Sequence, residues 1–299
     1  MKKIVITSFV MPHELDDLER VLVDLNKASK FVDGNNYEFY ISFSVSDYLF
    51  DWENSKVDKQ FFIDRFNSLK PLTNWAAKST FQMRDEIFGA FQTKRYAHKE
   101  CIDATHFIWL DTDICFDDKI LYYMEASIDR VRETDNIDKY FITPEIVKYW
   151  DTTWDCLVNE NYLNKPLDYC KTNNPFAESG EVGDVELMTV MNNVEGQPRT
   201  KFGAGWFTLL SKPLLDRIPL PESMGAYGPD DTFLMWGIEK LNQNGEMIYQ
   251  FKLKNYIVCE NYIYRNRTHY DSIIKRIDRK EEFKKQSYSV FNEELNKIK

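Results

Sequence analysis

A chain of 299 residues is long enough to bury one large core or two small ones, and 43% hydrophobic with 29% charged residues excludes a disordered, collagen-like or membrane-embedded chain. The 38 Lys and Arg against 48 Asp and Glu give a net charge of −10, which excludes a surface given over wholly to nucleic acid. The charge is uneven: from Lys252 onward twelve basic residues face seven acidic ones, an excess of +5, and the rest of the chain carries −15.

In chain order, Lys3–Val10 is a short β-rich run. The apolar stretch before Pro12 is too short for a signal peptide and reads as a first strand. His13–Ser29 places Leu15, Leu18, Val21, Leu22 and Leu25 at helical intervals. Tyr37–Ser46 alternates Phe39, Ile41, Phe43 and Val45 with smaller or polar residues, a strand with Asp47 just beyond it. Val57–Leu69 predicts a helix closed by Pro71, and Thr80 to about Cys101 predicts a long helix carrying Arg84. Thr105–Leu110 is an apolar run suited to a buried central strand. Asp118–Glu133 follows as a helix and Tyr140–Val147 as a strand, so the first half alternates β and α as a parallel, doubly covered sheet does. Tyr149–Val194 is polar, aromatic and irregular, an insertion over the site. Lys201–Leu210 predicts a strand, Pro229–Asn242 a helix and Met247–Phe251 a strand; the aromatic segment Tyr256–Tyr264 and a basic C-terminal helix close the chain. No run approaches the ~18–20 apolar residues of a membrane span. Five scattered cysteines show no zinc spacing and favour reduced thiols in the cytoplasm, of a bacterium or a virus-infected cell.

The strongest chemical signal is Asp111-Thr112-Asp113 at the carboxyl end of the apolar strand, where open α/β sheets bind ligands. Two carboxylates this close repel unless a cation sits between them, so a hard divalent ion, Mg²⁺ or Mn²⁺, is the natural partner. Such ions share their coordination with substrate phosphates, which implies a diphosphate-bearing donor. Farther on, Gly225 and Gly228 precede Asp230-Asp231 at a helix start; a cap explains one of these acids and leaves the other to spare. Gly203-Ala204-Gly205-Trp206 offers small residues for a sugar's close approach and an indole for its apolar face. Arg265 and Arg267 suit diphosphate oxygens.

Taken over roughly residues 3–270, the order of these elements resembles the GT-A fold glycosyltransferases. The resemblance implies an α/β fold with a Rossmann-type central mixed sheet flanked by helices, an irregular insertion and a C-terminal helical segment. It implies one domain, with a nucleotide-sugar half at 1–147, an acceptor half at 148–270 and a basic segment at 271–299. By the same resemblance Asp111 contacts ribose or sugar and the metal, Asp113 binds the metal, and His269 is its third ligand. Thr7, Ser8 and Asp47 meet the nucleotide, Arg84 and Arg267 its phosphates, and Gly205 and Trp206 the substrate sugar. One of Asp231 and Asp230 is the general base, with Asp231 preferred. The implied reaction passes a sugar from a nucleoside-diphosphate sugar, expected to be a UDP-sugar, to a hydroxyl of a glycan, protein or small molecule. A variant of the same chemistry acts on hydroxylated bases of DNA, motivated by the +5 segment.

Two other classes compete. Haloacid-dehalogenase-like phosphatases also use a D-x-D after an apolar strand, but need Thr or Val where Cys115 stands. A noncatalytic carbohydrate-binding protein fits the aromatic content and gives no reason for two acidic pairs in this order.

Overall fold

The computed structural model describes residues 2–55, 57–135, 137–148, 185, 187–189, 207–260 and 277–299. The expected insertion at Tyr149–Val194 lies outside the described residues except for its end, and so do Gly205, Trp206, Arg267 and His269.

The architecture is α/β, a mixed sheet with helices on both faces, as the pattern of the first half predicts. Strands β1 (Ile4–Val10), β2 (Tyr37–Ser44), β3 (Lys78–Arg84) and β4 (His106–Leu110) are parallel in the order β3-β2-β1-β4. Next to β4, in antiparallel register, stands β8 (Phe207–Ser211), with Phe207 opposite Leu110. Beyond it come β6 (Tyr140–Lys148) and the parallel β9 (Tyr249–Glu260), edged by the short antiparallel β5 (Ile114–Cys115) and β7 (Leu187–Thr189).

Alternation along each strand divides the core in two. Ile4, Ile6, Ile108 and Leu110 pack under α1 (Leu15–Ala28), α2 (Lys59–Ser68) and α4 (Ile120–Asp135). Val5, Phe107 and Trp109 pack on the other face under α3 (Ala90–Glu100), α5 (Lys212–Arg217), α6 (Asp230–Gln243) and α7 (Ile277–Lys297). Each such buried side chain contributes about 1.5–3 kcal/mol. The next odd position after Trp109 is Asp111, so the period that buries the indole also sets that carboxylate on the α3 side of the sheet.

Three expectations need correction. The helix predicted from Thr80 to Cys101 is a strand followed by a shorter helix, and Arg84 stands at the end of β3. Strand β3 is an edge strand, half exposed throughout, so its alternation is weak. The break comes at Gly89, where backbone is extended and a Cβ would lie 2.1 Å from the carbonyl oxygen of Ala226. Second, β9 runs on through the first part of the segment read as a separate aromatic stretch. Third, α7 begins at Ile277 and carries five basic and five acidic residues, so the C-terminal helix is neutral and the +5 excess lies mostly before it. It is also not a purely solvated helix, since Ser287 is buried.

Among the described residues, no helix is long and apolar enough to cross a membrane. Cys101 and Cys115 are buried.

Candidate active site

Because β1 to β4 are parallel, their carboxyl ends share one edge of the sheet, and Asp111 and Asp113 follow β4 there. The turn that carries them is held from below. Arg20, on α1, donates to the carbonyl oxygens of Thr112 at 2.7 Å and Ile114 at 2.6 Å, with the Cys115 sulfur at 3.5 Å. Asp111 is half-buried and Asp113 is only 2% exposed.

Helix α3 brings a cation to the same place. Lys94, one turn in from Gly89, is buried and lies 4.4 Å from the centre of the Trp109 ring, a cation–π contact. Its ammonium is bonded to the carboxylate of Asp230, the first residue of α6. Burial pushes the lysine's pKa down, but Asp230, Asp111 and Asp231 together more than offset this and hold it above its ordinary value. The ammonium therefore ties the two acidic motifs, over a hundred residues apart in the chain, into one electrostatic unit.

The two acids of α6 are not equivalent. Neither is the cap, a position taken by Pro229 without any side-chain bond. Asp230 is ion-paired with Lys94. Asp231 accepts the backbone N–H of Thr232 at 2.7 Å. Burial first, and then the Asp230 charge beside it, push Asp231 up to about 6, against the weaker pull of Lys94 and Thr232.

The turn before α6 is close-packed. Gly225 takes a φ of +70°, a left-handed conformation that favours glycine. The Tyr227 ring meets Phe9 edge-on at 6.3 Å, and its hydroxyl points at the Met11 sulfur, 3.3 Å away. Burial, with Glu14 nearby, keeps that phenol protonated.

The other described sequence-derived candidates lie on β1, on β3 and in the turn after β2. Thr7 pairs in register with Tyr40 and Trp109, and Thr7 and Ser8 are 1% and 3% exposed, facing packed side chains rather than an open cleft. Their hydroxyls find no hydrogen-bond partner among the described residues. Asp47 is mostly exposed in the turn after β2 and paired with Lys59 at 3.0 Å. Arg84 is stacked over Phe88 and Tyr96, at 4.8 and 5.3 Å, and pairs with Glu86 at 3.5 Å.

Sequence reasoning missed Lys94 and Arg20. Lys94 had a signal for its burial though none for its partner: Ala90, Phe91 and Ala97 lie at helical spacing from it, which puts the lysine on the helix's apolar stripe. Arg20 had none, being one charge among several on α1.

A divalent ion fits the residues present in one respect and is incomplete in another. Among the described residues no group of three His, Cys, Asp or Glu stands ready to hold a metal. Two hard carboxylates at a strand end, on a turn whose backbone is fixed by Arg20, are nonetheless the protein donor set that Mg²⁺ takes when substrate phosphates complete its shell.

No protein-family model matches the chain, and no curated protein does. Among solved structures the chain is similar to the crystal structure of S. aureus TarS 1–349, with 13% identity over 87% of this chain and 60% of that one and a TM-score of 0.49. It is also similar to the crystal structure of a mycobacterial protein, with 12% identity over 87% of this chain and 65% of that one and a TM-score of 0.40. The chain thus spans less than two thirds of the length of either structure. The functional reading stands on this chain's own residues.

Proposed function

We propose that this chain is a glycosyltransferase that moves a sugar from a nucleoside-diphosphate sugar, a UDP-sugar first among candidates, to an acceptor hydroxyl with a divalent ion, Mn²⁺ or Mg²⁺. The observation that carries the reading is the gathering of Asp111, Asp230 and Asp231 around the buried ammonium of Lys94 at the carboxyl edge of the sheet. A fold needs no such cluster for stability, since buried charges cost more than apolar packing of the same volume.

Asp111 and Asp113 would hold the ion, and His269 remains its proposed third ligand. When bound, the ion supplies positive charge to the departing diphosphate. The remaining work falls to the chain's own groups. Asp230, fixed by its ion pair with Lys94, is placed to accept a hydrogen bond from the acceptor. Asp231, pushed up to about 6, is ionised at neutral pH and still more basic than an ordinary carboxylate, the poise that general-base removal of a hydroxyl proton requires. Trp206 and Gly205 are proposed for the sugar, and Asp47, Thr7, Ser8, Arg84 and Arg267 for the nucleotide.

The acceptor is proposed to be a glycan, protein or small molecule. A DNA acceptor is the alternative, motivated by the +5 excess from Lys252 onward, most of which lies before the neutral α7. A cytoplasmic setting is proposed as well, supported by the scattered cysteines of the chain.

Titration calorimetry with a panel of nucleotide sugars tests the reading. Binding is expected to require Mn²⁺ or Mg²⁺ and to be lost in Asp113→Asn, whose circular dichroism stays that of the wild type. Metal-independent binding, or an Asp113→Asn protein that binds and turns over normally, rejects it.

A further inference from the structure

We infer that α7 is a strap that positions the acidic turn, with Ser287 as the positioning residue; this rests on the reading of Asp231 as the base. Ser287 is fully buried, and its hydroxyl is shared between the carbonyl oxygens of Met224 and Tyr227. These two carbonyls bracket Gly225-Ala226, in the turn that leads to Asp230 and Asp231. The contact is a backbone approach: a Cβ at Gly228 would lie 2.7 Å from the Ser287 hydroxyl oxygen and 2.9 Å from its Cβ. A Cβ at Gly225 would lie 3.7 Å from the Gln286 side-chain oxygen.

Both ends of the helix are anchored to opposite sides of the site. Toward its start, Phe283 lies 5.7 Å from the Tyr48 ring and Glu282 accepts the Tyr48 hydroxyl at 3.2 Å, in the turn that also carries Asp47. Toward its end, Phe291 meets Phe233 of α6 edge-on at 5.6 Å, and Lys240 of α6 donates to the carbonyl of Leu295 at 3.0 Å. The helix therefore spans from the proposed nucleotide side to the acidic helix, and holds the turn between them through the Ser287 hydroxyl on its backbone and through Glu294, which accepts the Ser223 hydroxyl.

A base works only within hydrogen-bond reach of the proton it takes, and misplacement by about 1 Å costs on the order of 10²-fold. Ser287 touches no reacting atom, so its loss should slow turnover without weakening the donor. In the full chain, Ser287→Ala is expected to lower kcat about tenfold with donor KM within about twofold of wild type. It is also expected to speed amide hydrogen exchange over residues 224–232. Ser289→Ala, the same truncation on the exposed face of α7, is expected to change neither.

If Ser287→Ala does not fold, Ser287→Cys keeps the volume with a weaker donor and is read by the same measurements. Unchanged kcat, unchanged exchange, a rise in donor KM that matches the fall in kcat, or an equal effect from Ser289→Ala each overturns the inference. A wild-type protein that transfers no sugar from any donor refutes the transferase reading instead, and the exchange comparison then decides the strap alone.

Discussion

At the edge where the parallel strands end, one ammonium, Lys94, answers to three carboxylates and lies buried against an indole. At the opposite edge, where β4 begins, the buried ionisable group is His106, and it is kept neutral. The Thr105 hydroxyl donates to the Lys3 carbonyl at 3.0 Å and accepts the Lys3 N–H at 2.9 Å. Its remaining lone pair accepts a hydrogen bond from the His106 Nδ1–H at 2.9 Å, so Nε2 accepts from the Tyr140 hydroxyl at 2.8 Å. Burial, and then the charges of Arg132 and Lys2, push the imidazole down to about 3. That end also has a cavity of about 550 Å³ lined by Thr105, His106, Arg132, Tyr140, Lys212 and Asp216. Its charges largely answer one another: Asp216 is closed on Lys212 at 2.7 Å and on His98 at 2.8 Å. A hollow by itself does not mark a reaction centre. Acid in excess of base, held out of water at a strand end, is the better sign.

The comparison breaks most sharply at Asp231. Asp231→Asn is expected to lower kcat by about 10²–10⁴. In the wild type, kcat/KM should fall as pH drops through about 6, because the base must be ionised and its pKa is raised to that value from 3.8. The same raised pKa means that the folded protein holds a proton the unfolded chain releases, so its stabilising contribution is lost as pH rises from about 4 to about 6. Asp231→Asn should therefore melt higher than wild type at pH 7 while being nearly inactive. A variant that melts lower, or a rate that is flat down to pH 5, removes Asp231 from the role.

Lys94→Met comes next. It strips Asp230 of its counter-ion inside a pair that is 9% and 15% exposed, and should cost about 3–5 kcal/mol in thermal or urea unfolding. Its surviving activity should also lose its acid limb at a higher pH than wild type, since the acids then face each other with no cation between them. A limb that stays in place would show that the lysine is only structural. His106→Phe is the smallest and belongs to the other edge: it leaves the Tyr140 and Thr105 hydroxyls short of a partner, costs about 1–3 kcal/mol, and should leave kcat and its pH profile untouched.

What could be read beforehand follows from the same contrast. The strand into Asp111 was legible because His106–Leu110 is buried on both faces, and such a strand is apolar without interruption. Helix α6 was legible from its Pro-Asp-Asp start. Strand β3 was not, because an edge strand that is half exposed lacks the alternation that separates a strand from an amphipathic helix. Lys94 was hidden for a different reason: a lysine's letter is the same whether its ammonium meets water or a carboxylate, and its partner stands 136 residues away. Proximity between distant segments is a property of the sheet's crossovers, which local periodicity does not encode.

The contact at Gly89 bears on how the chain comes off the ribosome. With hydrogen in place of a side chain there, the start of α3 rests on the backbone of Ala226, and Asp230 enters four residues later. A nascent polypeptide that has emerged only through β6 already contains Lys94 and Asp111 but not Asp230, so the lysine must stay hydrated until the later segment is synthesised and docks. The reaction centre is then among the last parts of the molecule to mature, and premature release of a truncated product would leave it unable to close.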